Sequence, residues 1–331
     1  MTALLPVQEW ISEIARGEHG SRDLDARTAQ LLYDAMLAGQ LHDVQVGAIL
    51  AALRMKGESD GELAGFYQAC RQRLPMLPSV SGMARPVVLP TYNGARRLPN
   101  MTPLLALLLV RMEVPVLVHG HVESGSRVGT FAVLHEMGWH LSPTLDDLVE
   151  RLLTCRLGLA EAGLLFPQLQ RLLALRQLLG VRSTAHSLVK MLSPFAQDSL
   201  RVVSVSHPAY LDKMRMLFES TGETALVMRG TEGEPFVHPR RVPEIGLCRQ
   251  GEWQVLLAGE TGTLQEVEVL PELKDAAATA RWTESVLAGE VAVPVALRQQ
   301  LACCAVGCGL AGQMEAATTL VAELCDEGLT A

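Results

Sequence analysis

Several absences narrow what this chain of 331 residues can be. Aromatic residues make up only 4% of it, so stacking platforms of the kind single-strand binders place under their bases are scarce. Its apolar runs, such as PLLALLLV at 103–110, fall far short of the roughly 20 residues needed to span a bilayer, which excludes a membrane span. The start, MTALLPVQEWISE, has no basic residues followed by a long apolar stretch; a signal peptide is not expected, and a cytoplasmic location is. The seven cysteines are odd in number and scattered, as reduced thiols are, and suggest no disulfide framework. No histidine follows His238, so the cysteine cluster ACCAVGC has no histidine after it. Cys304 and Cys308 lie one helical turn apart, but free cysteine is usually a small buried hydrophobe, and no metal is expected there.

Positive charge is also short overall. The formal net charge is −8, which at first argues against a nucleic-acid partner. The distribution reverses that impression: residues 162–218 hold seven basic residues against two acidic ones, whereas 242–331 hold four against thirteen. An acidic protein with such asymmetry still presents a basic face. The alternative is that these arginines are ordinary solvated surface.

What is present divides the chain in two. Residues 24–74 read as helices with short loops: LDARTAQLLYDAMLAGQ and HDVQVGAILAALRMKGES carry apolar residues at a 3.6-residue period and stop at Gly39 and Gly57, and Asp60 is placed to cap the next helix. A stretch dense in Pro, Gly and Ser, PMLPSVSGMARP, reads as a hinge. Beyond it PVVLP, VPVLVHG, RVVSVSH, TALVMRG and EWQVLLAGE read as strands, with helices such as NMTPLLALLLVRM and GTFAVLHEMG interleaved. Strands alternating with helices predict an α/β domain built on a mostly parallel sheet. The loop LVHGHVESGSRVGT, rich in Gly and Ser between a strand and a helix, has the build that cradles anions.

QLHDVQVGAILAALRMKGESDGELAGF, NMTP, VHGHVESGSRVGTFAVLHEMG, LRQLLGVRSTAHSLVKMLSPF, RGTEGE and VLAGEVAVPVALRQQLACCAVGCGLAG together resemble the anthranilate phosphoribosyltransferase family, in order and spacing, over nearly the whole chain. The resemblance implies a helical dimerisation domain at 1–78 and an α/β domain of the nucleoside phosphorylase/phosphoribosyltransferase type at 79–331. It also implies that a part near 162–195 packs back on the helical domain, that a cleft lies between the domains, and that the protein is a homodimer.

The residues of that family's chemistry are mostly replaced. Its GTGGD loop, which wraps a diphosphate, is matched by PTYNGARRL, where Gly94 survives and Thr91, Tyr92 and Asn93 fill the loop. Its KHGN is matched by VHGH, with Val118 for the lysine and His121 for the asparagine. The acidic pair that holds magnesium is matched by Pro235 and Phe236, although Glu232 and Glu234 lie close enough for a shifted register. A residual phosphate or substrate cleft is expected from Gly94, Asn100, Thr102, His119, Gly120, His121 and Arg176, the last matching an arginine that faces the aromatic acceptor. No catalytic residue, metal or cofactor is expected. The pattern resembles the TrpD2 subgroup, known for nucleic-acid binding without transferase activity, and RGTEGEPFVHPRR carries that likeness.

The resulting expectation is a homodimer that binds single-stranded DNA or RNA non-specifically. Arg176, Arg182, Lys190, Arg201, Lys213, Arg215, Arg240 and Arg241 are the expected nucleic-acid contacts, with Arg96 and Arg97 extending the groove. The alternative is a true glycosyltransferase using phosphoribosyl diphosphate and magnesium. Plainer explanations exist for the single residues. His119 and His121 alternate on one strand face and form either a hydrogen-bonded pocket pair or two metal ligands. Asn100 has the position of a helix cap, Arg176 can pair with a carboxylate, His135 and His140 are structural, and His207-Pro208 and His238-Pro239 are turns.

Overall fold

A computed structural model describes residues 5–17, 19–80, 84–122, 126–205, 207, 209–262, 264, 270–272 and 274–326. In chain order its elements are α1 (Val7–Ile14), α2 (Ala26–Leu37), α3 (Asp43–Lys56), α4 (Asp60–Arg71), β1 (Val87–Thr91), α5 (Thr102–Arg111), β2 (Val116–Gly120), α6 (Thr130–Glu136), α7 (Leu145–Thr154) and β3 (Leu157–Glu161). There follow α8 (Ala162–Leu165), α9 (Pro167–Ala174), α10 (Arg176–Leu179), α11 (Ala185–Leu188), β4 (Leu200–Val205), α12 (Ala209–Thr221), β5 (Ala225–Arg229), β6 (Ile245–Arg249), β7 (Glu252–Leu257), α13 (Ala276–Leu287), α14 (Val295–Cys308) and α15 (Met314–Asp326). They form two compact units. One comprises Met1–Pro75 with Leu165–Leu192, the other Met76–Leu164 with Ser193–Ala331.

The helical unit is organised by its caps. Asp25 accepts the backbone N–H groups of Arg27 and Thr28 at the start of α2, and Ser59 with Glu62 forms a reciprocal capping box on α4. The cap of α4 is thus Ser59 and not Asp60, which is the first helical residue, because only Ser59 has the extended backbone that aims a side chain back at the free N–H groups. Glu62 is fully buried and also takes the Leu24 N–H and the Lys56 ammonium, whose Nζ lies 2.7 Å away. Helices α2 and α4 pack with the Tyr33 and Phe66 rings 4.8 Å apart. Gly65 permits that approach: a Cβ there would lie 2.3 Å from the Ala26 carbonyl oxygen. The returning segment is tied to the same bundle, since Arg171 donates to the Met36 and Leu37 carbonyls at the C-terminus of α2, where a cation also meets the helix dipole. Thr184 donates to the buried Glu58.

The second unit is built on a seven-stranded sheet in the order β3-β2-β1-β4-β5-β6-β7. The first five strands are parallel; β6 and β7 run antiparallel as a hairpin. Strands β1, β2 and β4 are buried over nearly their whole length, as the run of Val and Leu in each requires, while β7 at the edge is half exposed. Strand β6 carries no period-2 alternation and was not expected from the sequence. Its Gly246 is where the Trp253 ring of β7 lies on the backbone, at a point a Cβ would occupy. The core includes α14, in which Cys303, Cys304 and Cys308 are buried; burial pushes the Cys303 thiol up to about 12. Because the chain builds β1 to β3 on one side and β4 with β5 on the other, β1 and β4 flank a topological switch point. Ligands of open α/β sheets bind at the carboxyl ends of the strands there.

Candidate functional site

The segment that leaves β1 at the switch point, 91–98, points a series of backbone N–H groups inward, and Gly94 gives the turn its left-handed φ of 62°. Such a nest draws an anion. Its occupant is the protein's own Glu234. One carboxylate oxygen accepts the N–H groups of Tyr92 at 3.1 Å, Asn93 at 2.8 Å and Gly94 at 3.1 Å. The other accepts the Thr91 hydroxyl and, at 3.2 Å, the Thr130 hydroxyl. Glu234 is fully buried. Glu232 repeats the arrangement at the next turn, accepting the N–H groups of Arg96 at 3.1 Å, Arg97 at 2.7 Å and Leu98 at 3.3 Å, with Arg127 3.6 Å from its other oxygen. A tight turn, with Glu232 and Gly233 both at positive φ, delivers the two carboxylates.

Magnesium does not fit this arrangement. A hard divalent cation needs open carboxylate oxygens, and those of Glu234 already face five donors. Phe236 lies wholly in the core. Among the described residues no group of three or more His, Cys, Asp or Glu is arranged to hold a metal.

The histidines after β1 and β2 belong to the same packing. Tyr92 Oη lies 2.8 Å from His119 Nδ1, and the Tyr92 ring meets the His121 ring edge-on with centroids 5.0 Å apart. Burial, with a smaller contribution from His121, lowers the His119 pKa to about 3, so it is a neutral ring and no cation. Val118 is buried within β2. Gly120 is explained by sterics, because a Cβ would fall 1.7 Å from the Thr91 carbonyl oxygen. Asn100 accepts the Thr102 N–H at the start of α5 and donates to the Val128 carbonyl and the Thr130 hydroxyl, so it ties two loops together from the position before the helix cap, which is Met101 and not Asn100. Thr102 is buried beneath it. Of the Gly/Ser-rich loop, 123–125 lie outside the described residues, as does Pro208; Val128 pairs with Ala95, and Arg127 donates to the Gly94 carbonyl. His135 and His140 face each other, Nδ1 to Nδ1 at 3.1 Å.

Six of the eight expected cations fall into three groups. Arg176, Arg182 and Lys190 belong to the helical unit, where both arginines are exposed and Lys190 is partly so. Lys213 and Arg215 lie on α12; Lys213 stands over the Tyr210 ring, and Arg215 is paired with Glu219 at 2.9 Å while stacking on Trp253. Arg201 is a correction. It is 7% exposed and paired with the buried Glu223 at 3.1 Å, so it serves the interior of the sheet and has no surface to offer a strand of nucleic acid.

A fourth grouping was only half visible in the sequence. Arg97 and Arg241 line one open cavity of about 1050 Å³, joined by Arg229 at the end of β5 and by His238, with Glu232, Glu244 and Glu260 also on the lining. Among the described residues, none of the three arginines is in an ion pair. Arg240 is exposed next to Arg241. The His238 imidazole accepts the Arg240 N–H at 3.0 Å, and its pKa is lowered by burial and by the two neighbouring guanidiniums. Arg229 and His238 were missed as site residues, because the former ends an apolar strand and the latter reads as a turn.

Comparison with known proteins agrees with this architecture. Residues 8–74 match the helical bundle domain of the glycosyl transferase family and 94–330 its α/β domain. An Escherichia coli K12 protein named uncharacterized protein YbiB is 42% identical over 302 residues, covering 90% of this chain and 93% of its own. The anthranilate phosphoribosyltransferase of Synechococcus sp. CC9902 is 29% identical over 240 residues, covering 72% and 66%. The crystal structure of anthranilate phosphoribosyltransferase from Thermus thermophilus superposes with a TM-score of 0.76 at 22% identity over 98% of this chain and 96% of the other. A helical bundle, an α/β unit with a mostly parallel sheet, and matches to both domain profiles lead to one assignment: the chain belongs to the glycosyl transferase family in its anthranilate phosphoribosyltransferase-like form.

Proposed function

We propose that this protein is a cytoplasmic homodimer that binds single-stranded DNA or RNA through its phosphates, in the manner of the TrpD2 subgroup, and transfers no phosphoribosyl group. The observation that carries the reading is the cavity lined by Arg97, Arg229 and Arg241, three guanidiniums with no carboxylate partner among the described residues. Guanidiniums left unpaired on an open surface are suited to phosphate oxygens, which they bind through two parallel N–H groups. Among the described residues no Phe, Tyr or Trp lines the cavity, so contact is with the backbone of the strand and sequence preference is weak. Arg240 extends the same surface. Arg176, Arg182 and Lys190 supply a second basic stretch on the helical unit, and Lys213 with Arg215 a minor one on α12.

Titration of a labelled single-stranded oligonucleotide at two salt concentrations tests this reading. Saturable binding that weakens steeply as salt rises is expected, and no binding at low salt overturns it. The alternative is a glycosyltransferase acting on phosphoribosyl diphosphate with magnesium, favoured by relatives named anthranilate phosphoribosyltransferase. Against it stand the filled nest at 91–94 and the five donors that already occupy the Glu234 carboxylate. Incubation with phosphoribosyl diphosphate, anthranilate and magnesium is expected to give no product above background; magnesium-dependent turnover would decide for the transferase.

The homodimer is supported by α3, which is apolar on two sides. Its inner face buries Val46, Ile49, Leu50 and Leu53, while Val44, Ala48, Ala51 and Met55 form an exposed stripe at helical spacing. Val44 and Met55 are more than four-fifths exposed, which suits a second copy better than water. Light scattering is expected to report a dimer at micromolar concentration, and Val44→Glu with Met55→Glu a monomer. A wild-type monomer across that range removes the dimer from the reading. No helix among the described residues is long and apolar enough to cross a membrane, and the seven free thiols fit a reducing compartment.

A further inference from the structure

The nest at 91–94 poses a question that nucleic-acid binding does not answer. Three consecutive backbone N–H groups and two hydroxyls converge on a point below the surface, and the group that meets them is a side chain 140 residues away in sequence. A carboxylate brought into a buried position is costly unless donors surround it. Here the surrounding is complete, with five donors on two oxygens. The turn that carries Glu234 is also conformationally costly: Glu232 has a φ of 55°, in the left-handed region that side chains disfavour. The turn is further held by Asn93 and Ser204, which both donate to the Gly233 carbonyl. Strained backbone held by many contacts marks a place where geometry is required.

We propose that the 91–94 loop is an oxyanion-binding nest and that Glu234 is its resident ligand, a covalently attached carboxylate that keeps free phosphate and diphosphate out. A carboxylate and a phosphate present the same face to such a nest, two or more anionic oxygens accepting N–H and O–H groups. The carboxylate has the advantage of being tethered: an internal ligand acts at an effective concentration that a millimolar solute does not match. Glu232 closes the next turn of the same segment in the same way, with its carboxylate nearer the surface. The backbone donors therefore remain although the loop no longer offers them to solvent.

The test replaces the resident ligand. Glu234→Ala should empty the nest, lower the thermal midpoint, and create a site for inorganic diphosphate or phosphate. Calorimetry is expected to detect binding of inorganic diphosphate to the variant at least tenfold tighter than to the wild-type protein, and the variant's midpoint should rise with diphosphate by more than the wild type's. Using the wild type in the same salt removes the general stabilisation that phosphate salts give any folded protein. Glu234→Gln, which fills the space without the charge, should gain little affinity. If Glu234→Ala does not fold alone, inorganic phosphate should restore its circular dichroism spectrum. Wild-type protein that binds inorganic diphosphate as tightly as the alanine variant would show that Glu234 steps aside and is no resident ligand. A folded alanine variant that ignores both anions, or an unfolded one that phosphate does not rescue, would show that the loop is no nest. Neither result bears on oligonucleotide binding, which is measured separately.

Discussion

Two regions lie on opposite terms with the turn at 230–236. On one side, the 91–98 segment has its backbone donors met by Glu232 and Glu234, and the site is closed. On the other, Arg97, Arg229 and Arg241 line an open cavity and pair with no carboxylate among the described residues. Both regions are rich in hydrogen-bond donors. The difference is whether the protein supplies the anion itself. A donor satisfied from within contributes to stability and is lost to ligands; a donor left unmet at the surface contributes little to folding and remains for a partner.

The same contrast separates Arg201 from the cavity arginines, and it yields the largest effect. Arg201→Ala takes the guanidinium away from the buried Glu223, and breaking such a pair costs about 3–5 kcal/mol. Urea unfolding should register that loss, while the salt dependence of oligonucleotide binding by the folded fraction stays unchanged. A stable Arg201→Ala protein with weakened binding would reverse the comparison.

Next in size is the triple replacement of Arg97, Arg229 and Arg241 by alanine. Affinity for a single strand should fall on the order of a hundredfold at low salt, and the slope of log affinity against log salt should flatten by about two units, as three lost phosphate contacts imply. The thermal midpoint should barely move. A marked loss of stability would mean that these arginines belong to the closed kind.

His119 sharpens the closed side. Its pKa in the folded protein, about 3, lies below the ordinary value of 6.5, so the unfolded chain takes up the proton first as pH falls. Its neutral ring therefore contributes stability that is fully present above about pH 6.5 and is lost as pH drops toward 3. His119→Gln should remove that dependence, so the wild type's stability relative to the variant should shrink on the order of 2 kcal/mol between pH 7 and pH 5. A constant difference across that window would mean the ring is solvated. The smallest effect is expected for Arg182→Ala with Lys190→Ala on the helical unit, a flattening of the salt slope by about one unit.

Much of this protein follows from local physics and is legible in the chain. The caps, stops and 3.6-residue periods mark α2, α3 and α4 within a residue or two, as the shift from Asp60 to Ser59 illustrates, and the short Val/Leu runs mark β1, β2 and β4 because strands buried on both faces must be apolar throughout. The family was legible as well, since glycine-punctuated segments keep order and spacing along the whole chain. So was the loss of the diphosphate loop's glycines. What tertiary structure alone decided is which charges meet. Glu234 and Tyr92 to Gly94 lie about 140 residues apart, and only the parallel order of the sheet, with β1 and β4 adjacent and β5 beyond, carries them to the same edge. The two carboxylates in RGTEGE carry no sign of their partners in the sequence until that edge surrounds them with donors. Arg201 reads as a surface cation until its strand is placed inside the sheet beside Glu223. Arg97, Arg229 and Arg241, spread over three segments, become one surface by the same folding. Periodicity reports which residues face the core, but pairing between distant charges leaves no local pattern, because it depends on which loops the topology brings together.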